Sequence, residues 1–409
     1  LFRSWHIKQH RFSSYIASHR QLWIIGAVFA LIYMGNGSFL PYLSLYYMEA
    51  GLSTTQIGVI TAIGPFASLL LQTAWGRLAD RTNRKFVLML ALAASGLSAL
   101  LYLLGTSYPY ILGVATLFVL VNMSVLPMSD AMALEFCTNN RFHFAPVRMC
   151  GTIGYAIMPV LLGGLFSVHL HYIFPTFCAL CLIAAAGTCF FPKSIAKAPV
   201  RASKSSGVRI LPLLRDPFVI FLLTANFVIS IGICAYTYLP LYASNMGYDN
   251  NLCGLLNAVA AMSEIPSLLL IDRVLKKIKG QTVIIASSFF CGLRLLITYL
   301  AGFCGSNAIW VMMLGQLLQS VSYITNYYCS AQLIHERFPA ELKSTAQTLL
   351  AMITAGFSRI VGAVLGGILS EPEVLGLQNT FLFFACFLFI GSFAVLACYR
   401  FAVRRGAAH

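Results

Sequence analysis

Runs of about 20 apolar residues, each long enough to cross a bilayer as a helix, recur along the whole chain with short polar stretches between them. We number these runs spans 1 to 12. The pattern predicts an all-α membrane protein with twelve transmembrane helices. The spans are 22–48, 56–78, 86–105, 110–135, 149–168, 172–191, 218–243, 252–271, 282–303, 308–334, 344–370 and 377–399.

Composition supports a membrane protein over a soluble enzyme. Of the 409 residues 59% are hydrophobic and 10% are charged, whereas soluble domains carry about 25% charged residues. The connections leave no room for a sizeable soluble domain, and the chain has no nucleophile–base, phosphate-loop or metal-ligand motif. We therefore expect no enzymatic activity, no cofactor and no metal. The twelve cysteines lie mostly within spans, where we expect them to pack without disulfides.

Basic residues predict the orientation. Lys and Arg occur in the N-terminal arm, in the turns after spans 2, 4, 8 and 10, in the central linker and in the tail, and they are absent from every odd-to-even connection. By the positive-inside rule both termini are cytoplasmic. We interpret the net charge of +15 as this topology plus contact with anionic lipid head groups rather than nucleic acid. The expected location is a bacterial inner (plasma) membrane.

A polar, basic linker divides the chain near its middle, and the two halves share motifs in the same direction. Leu40-Pro41 recurs as Leu239-Pro240, and Gly163-Gly164 recurs as Gly366-Gly367. Two parallel six-helix repeats are typical of transporters whose site lies between the halves at mid-membrane. The expected divisions are an arm (1–21), a first bundle (22–192), the linker (193–216), a second bundle (217–399) and a tail (400–409).

Span 4 contains an acid, Asp130, and the next span opens with a candidate partner, Arg148. A carboxylate at the centre of a membrane helix costs about 2.5–3.5 kcal/mol on insertion scales, so it persists where it is paired or functional. A guanidinium offers a planar fork of donors, and an aromatic ring such as Tyr155 covers apolar C–H groups. We expect the three to bind substrate; the alternative is an ion pair that only fixes the helix hairpin.

The turn after span 2 reads Gly-Arg-Leu-Ala-Asp-Arg-Thr-Asn-Arg-Lys over residues 76–85. Asp80 is placed to cap the following helix or to pair with a basic residue, and Asn83 tolerates a left-handed turn. The sequence resembles the loop signature of the major facilitator superfamily, with Asn83 in place of a glycine. The resemblance implies a gating role for Gly76, Asp80 and Arg84.

A narrower resemblance concerns span 5. Arg148, Met149, Gly151, Gly154 and Tyr155 are similar to a run in the lactose permease group, which includes oligosaccharide–proton symporters and phenylpropionate permeases. The resemblance implies that the acid and arginine grip a sugar while the aromatic residue stacks on its ring. It also implies that Glu264 and Arg294 form the second half of the site, with a helix-locking pair as the alternative, and that the protein works as a monomer.

Further polar residues interrupt the spans. Asn36 lies between two glycines and before Pro41 in a helix expected to bend, and it either packs or lines a cavity. Arg359 in span 11 either reaches the membrane surface or faces the cavity. We interpret the acids in the odd-to-even connections, which include Glu371, as ordinary solvated charges. A stripe in span 10, which lines the site or bonds neighbouring helices, contains Gln316, Gln319, Ser322 and Asn326.

Spans 7 and 10 lack the acids and the histidine that serve proton coupling in the lactose permease group. Asp130 and Glu264 then remain as candidate proton carriers. We expect a secondary active transporter that imports a small polar solute, such as a sugar or oligosaccharide, with protons by alternating access. The alternatives are proton-coupled uptake of an aromatic or other organic anion or of a nucleoside, and a drug or amphiphile export antiporter.

Overall fold

The structure, a computed structural model, describes residues 2–192 and 215–405, with side chains from His19 onward except at a few positions. Most of the predicted linker (193–216) and the end of the tail lie outside the described residues. Within them the chain is all helical, and twelve helices are long and apolar enough to cross a membrane. The predicted number of spans is confirmed, and this is a multi-pass membrane protein.

The observed spans begin and end within seven residues of the predicted ones. They are His19–Glu49, Thr54–Leu71, Arg84–Leu104, Tyr108–Asn139, Ala145–Val168, Leu170–Thr188, Pro217–Asn245, Asn250–Ile271, Gly280–Ala301, Gly305–Arg337, Thr345–Leu369 and Gly376–Arg404.

Several spans are built from more than one helical segment. The α-helices are Phe2–Glu49, Thr54–Arg81, Arg84–Leu100, Tyr108–Asn122, Val125–Asn139, Ala145–Val168, Ile173–Thr188, Pro217–Ile233, Leu239–Asn245, Asn250–Leu275, Gly280–Ala301, Ala308–Leu317, Thr325–Arg337, Ala340–Ala351, Ser358–Leu369 and Gly376–Arg404. Short 3₁₀ turns cover Leu101–Leu104, Leu170–Tyr172, Cys234–Tyr238 and Gly305–Asn307. Spans 10 and 11 each contain a π-helical segment, Ser320–Ile324 and Met352–Phe357.

The helices form two compact units. The first comprises Leu1–Leu40, Leu70–Leu162 and His171–Arg201, and the second comprises Pro41–Leu69, Gly163–Leu170 and Ala202–His409. Spans 1, 2 and 5 therefore contribute residues to both units.

Aromatic packing forms the interior of the first unit. The rings of Phe39 and Phe177 lie 4.7 Å apart, and Tyr102 stacks on Phe174 at 5.2 Å between ring centroids. Aromatic pairs at such distances add stabilisation beyond the area that they bury. This cluster holds spans 1, 3 and 6 together.

Backbone contacts replace large side chains where span 11 meets span 7 in the second unit. A Cβ on Gly362 would lie 2.7 Å from the Cys234 sulfur, so only glycine permits this approach. The Tyr238 hydroxyl donates to the carbonyl of Ala363 at 2.8 Å, which fixes the register of the two helices.

Span 1 is one uninterrupted helix, Phe2–Glu49, with Pro41 inside it. Gly37 allows a close approach of two helix backbones, because a Cβ at this position would overlap the carbonyl oxygen of Tyr155 in span 5. Span 3 begins at a cap rather than at a left-handed turn. Asn83 is extended (φ −121°, ψ 110°) and its side chain accepts from the backbone N–H groups of Lys85 and Phe86, so the left-handed turn that asparagine tolerates is not adopted here.

Candidate functional site

The ion pair expected between spans 4 and 5 is present in the first unit. Asp130 Oδ1 lies 3.1 Å from Arg148 Nη1, and Oδ2 lies 3.3 Å from the same nitrogen. The two side chains retain 40% and 44% of their exposure, respectively. Arg148 is the fourth residue of its helix, so the pair lies toward one end of span 5 rather than at its middle.

Tyr33 in span 1 joins the Asp130–Arg148 pair as a third residue, which was not predicted from the sequence. Arg148 Nη1 donates to the hydroxyl of Tyr33, and the guanidinium carbon lies 5.1 Å from the centre of the Tyr33 ring. Tyr33 in turn stacks on Phe29 at 5.3 Å. A signal was available, since Tyr33 lies one helical turn before Asn36, but a tyrosine in an apolar run is ordinarily a packing residue.

The two glycines that follow Arg148 explain how Tyr33 reaches it. A Cβ on Gly151 would lie 2.8 Å from the Tyr33 ring, and a Cβ on Gly154 would lie 2.7 Å from the carbonyl oxygen of Ala30. Both distances are shorter than a methyl group tolerates. The glycines therefore let spans 1 and 5 cross closely enough for the Tyr33 hydroxyl to meet the guanidinium.

Two further predicted residues lie beside this group. Tyr155 is half-buried and follows Arg148 by seven residues, which places the two on the same face of the helix. Asn36 is 6% exposed, and its Nδ2 donates to the carbonyl of Ile32 one turn earlier in its own helix. The amide of Asn36 is therefore bonded within its own helix.

A second polar cluster, which we call the Gln319 cluster, joins spans 8, 9 and 10 in the second unit. Gln319 Nε2 donates to Glu264 Oε1 at 2.9 Å, and Gln319 Oε1 accepts from Arg294 Nη1. Arg294 Nη2 donates to Gln316 Oε1. Gln319 thus links the acid and the arginine that the sequence assigned to this half.

Arg294 is 3% exposed and lies on an aromatic ring. Its guanidinium carbon is 3.7 Å from the centre of the Tyr236 ring in span 7, a cation–π contact. Tyr236 therefore forms one wall of this cluster.

Two donor atoms in this cluster, Arg294 Nε and Gln316 Nε2, are buried without a hydrogen-bond partner among the described residues. Buried polar groups are rarely left unpaired in proteins. These donors are hydrogen-bonding capacity that the contacts of the cluster leave unused.

Asn326, the last polar residue of the predicted stripe, belongs to a different network. Its Nδ2 donates to Asn226 Oδ1 at 2.8 Å, and Asn226 Nδ2 donates to the Ser330 hydroxyl at 2.9 Å. All three side chains are buried. The network bonds span 10 to span 7, the role given above as the alternative to substrate binding.

The predicted gating residues lie at the turn after span 2. Arg84 Nη1 is 2.9 Å from Glu135 Oε2 near the end of span 4, and the side chains are 17% and 20% exposed. Gly76 and Arg84 both line a cavity of about 230 Å³, together with Trp75, Ser124 and Met128. The side chain of Asp80 lies outside the described residues. The helix Arg84–Leu100 is capped by Asn83 rather than by Asp80.

The acid Glu371, expected to be an ordinary solvated charge, bonds another helix end. Its Oε1 accepts from the backbone N–H of Thr55 at 2.8 Å, at the start of the helix Thr54–Arg81. Partial burial of Glu371 raises its pKa, but hydrogen bonds from Thr55, Ser53 and Thr54 outweigh burial and hold the pKa below its usual value. Within the described residues, His, Cys, Asp and Glu side chains form no group of three or more that could hold a metal ion.

Comparison with known proteins identifies the family. The sequence profile of the MFS_1 like family matches residues 22–383. This chain belongs to that family. It is therefore an MFS transporter, in agreement with its twelve spans.

Relatives of this MFS transporter are also carriers. The maltose permease of Geobacillus stearothermophilus is 28% identical over 371 residues, covering 90% of this chain and 91% of the relative. The uncharacterized transporter YwbF of Bacillus subtilis (strain 168) is 26% identical over 341 residues, covering 82% and 83%. The crystal structure of the nucleoside transporter NupG superposes with a TM-score of 0.78 at 16% identity, over 93% of this chain and 99% of that one.

Proposed function

We propose that this MFS transporter imports a small polar solute, a sugar or oligosaccharide, together with protons across a bacterial inner membrane. The observation that carries the proposal is the Asp130–Arg148–Tyr33 group. Its ion pair keeps 40% and 44% side-chain exposure, whereas a pair that only locked two helices would be sealed between them. The group therefore has bonding capacity left for a solute.

Each member of the group suits hydroxyl-rich rings. The Asp130 carboxylate accepts hydrogen bonds from sugar hydroxyls, and the Arg148 fork donates to their oxygens. Tyr155, on the same helix face as Arg148, offers a ring for the apolar C–H face of a sugar. The maltose permease relative supports a sugar as the solute.

The Gln319 cluster suggests how a proton changes binding. With Glu264 ionised, Gln319 gives its N–H to the carboxylate and its oxygen to Arg294. A protonated Glu264 becomes a donor and competes for the same Gln319 oxygen, which frees Arg294 Nη1 to bind the solute. Protonation and solute binding would then favour each other, as symport requires. Asp130 is the second candidate proton carrier.

Uptake into proteoliposomes tests the proposal. Vesicles containing the full chain, with an imposed inward proton gradient, are given labelled maltose, glucose and uridine. The proposal expects gradient-dependent accumulation of a sugar that a protonophore abolishes. Accumulation of uridine alone would reassign the solute class, and efflux of lipophilic cations without sugar uptake would favour an export antiporter.

A further inference from the structure

Span 11 carries a positive charge near its middle that the proposed function does not use. Arg359 lies ten residues before the end of Thr345–Leu369, about 15 Å along the helix axis. That distance exceeds the reach of an arginine side chain. The half-buried Arg359 therefore stays within the span, where a charge is costly unless something compensates it.

No acid compensates Arg359 in the part of the chain that the structure describes, since no carboxylate oxygen lies within 4.0 Å of it. Its side-chain contact is a long one, from Nη2 to the Tyr323 hydroxyl at 3.5 Å. A neutral phenol at that distance is a weak partner for a guanidinium. Arg148, by contrast, has the Asp130 carboxylate at 3.1 Å.

Both residues of this contact lie within or next to a π-helical segment. Tyr323 lies within the π segment Ser320–Ile324 of span 10, and Arg359 follows the π segment Met352–Phe357 of span 11 by two residues. π segments are rare, and they occur frequently at functional sites because they re-aim side chains. Two of them in neighbouring spans converge on a single arginine–tyrosine contact.

The contact lies about one helical turn along span 10 from the Gln319 cluster. Tyr323 follows Gln319 by four residues, so the two side chains share a face of span 10. Gln319 holds Arg294 and Glu264. The two contacts together contain two guanidiniums, Arg294 and Arg359, and one carboxylate, Glu264. The excess is one positive charge.

We propose that Arg359 binds an anionic group of the transported solute, so that the substrate is a carboxylate-bearing molecule such as a sugar acid or an aromatic acid. A planar guanidinium matches the two oxygens of a carboxylate, and one negative charge balances the excess. The inference rests on the proposed proton-coupled import of a small polar solute and requires that solute to carry a carboxylate, because a neutral sugar leaves Arg359 uncompensated.

Matched probes that differ only in charge test this assignment. Methyl β-glucuronide and methyl β-glucoside form one pair, and phenylpropionate and phenylpropionamide form the other. Proton-driven uptake of each is measured in proteoliposomes containing the wild-type chain, Arg359→Gln, Arg359→Lys or Arg273→Gln. Arg273 is an exposed arginine in the last turn of the helix Asn250–Leu275 and serves as the control. Thermal unfolding in detergent verifies that each variant is folded.

The proposal expects the wild type to prefer the acid over its neutral partner by about tenfold or more in at least one pair. Arg359→Gln loses that preference, whereas Arg359→Lys and Arg273→Gln keep it. Equal uptake of acid and neutral partner by the wild type, or a preference that survives in Arg359→Gln, overturns the inference. Glucoside uptake without acid preference would leave the proposed function standing, and no uptake of any probe contradicts both.

Discussion

The amide of Gln319 donates to the carboxylate of Glu264 at 2.9 Å. The amide oxygen accepts from Arg294, so Gln319 bridges the carboxylate of Glu264 and the guanidinium of Arg294. Through Gln319, the titratable Glu264 is thus linked to Arg294, a candidate substrate-binding residue.

Replacing Glu264 by glutamine tests that link. We expect Glu264→Gln to lose accumulation of solute against its gradient, because no proton can be released from this position. Exchange of labelled for unlabelled solute across the membrane, which needs no net proton movement, should persist. Glu264→Asp serves as the control for charge. Full uphill accumulation by Glu264→Gln would falsify the role of Glu264 as the proton carrier.

The crossing of spans 1 and 5 depends on Gly154. We expect Gly154→Ala to lower the free energy of unfolding by about 1–3 kcal/mol, as overpacking does, since its Cβ would lie 2.7 Å from the Ala30 carbonyl oxygen. Uptake should fall because Tyr33 moves away from Arg148. Gly164→Ala is the matched control in the same helix, because nothing lies within 4 Å of its Cβ. Equal unfolding temperatures for the two variants would contradict this account.

Glu371 makes stability depend on pH. Its folded-state pKa lies below the usual 4.5, so its contribution to stability is fully present above that value and is lost as pH falls through the lowered folded-state pKa. We expect the unfolding temperature of the wild type in detergent to exceed that of Glu371→Gln near neutral pH. The difference between the two unfolding temperatures should vanish at pH values below the lowered folded-state pKa.

Glu373→Gln controls for the loss of one charge, because Glu373 is an exposed carboxylate two residues along the same loop. A difference between wild type and Glu371→Gln that is independent of pH would show that the hydrogen bonds to the helix start at Thr54 do not need the charge.

The Arg84–Glu135 contact predicts a rescue. Arg84→Glu and Glu135→Arg should each impair uptake, because each places two like charges at the position of a 2.9 Å, mostly buried pair. The double variant restores opposite charges and should recover most of the activity. Membrane insertion of each variant is measured in parallel. Failure of the double variant to exceed either single variant would show that the pair itself does not matter for transport.

The hydrophobic pattern was sufficient to predict the spans, because the bilayer fixes both their length and their apolar character. The Asp130–Arg148 contact was likewise predictable, since an unpaired acid in a span demands a partner and Arg148 opens the next helix. Tyr33 and Tyr236 were not, because an aromatic residue in an apolar run packs as readily as it binds.

Position along a helix could not separate two kinds of polar residue in span 10. Gln319 and Asn326 are both spaced for one helical face, yet Gln319 meets the charged pair and Asn326 bonds Asn226. A π segment lies between them and changes the direction in which the later side chains point. The sequence pattern does not predict this segment. Glu371 was missed because its partner is a backbone N–H, which no side-chain motif records.

The measurement that most directly tests the central claim is proton-driven sugar uptake by Arg148→Ala, Arg148→Lys and the control Arg273→Ala. Hydrogen bonds to charged groups contribute about 1.5–3 kcal/mol, so we predict that Arg148→Ala reduces uptake by about tenfold or more. Arg148→Lys, which lacks the planar fork, should recover only part of it, and Arg273→Ala should match the wild type. Wild-type uptake by a folded Arg148→Ala would contradict the account and leave the Asp130–Arg148 pair a structural contact.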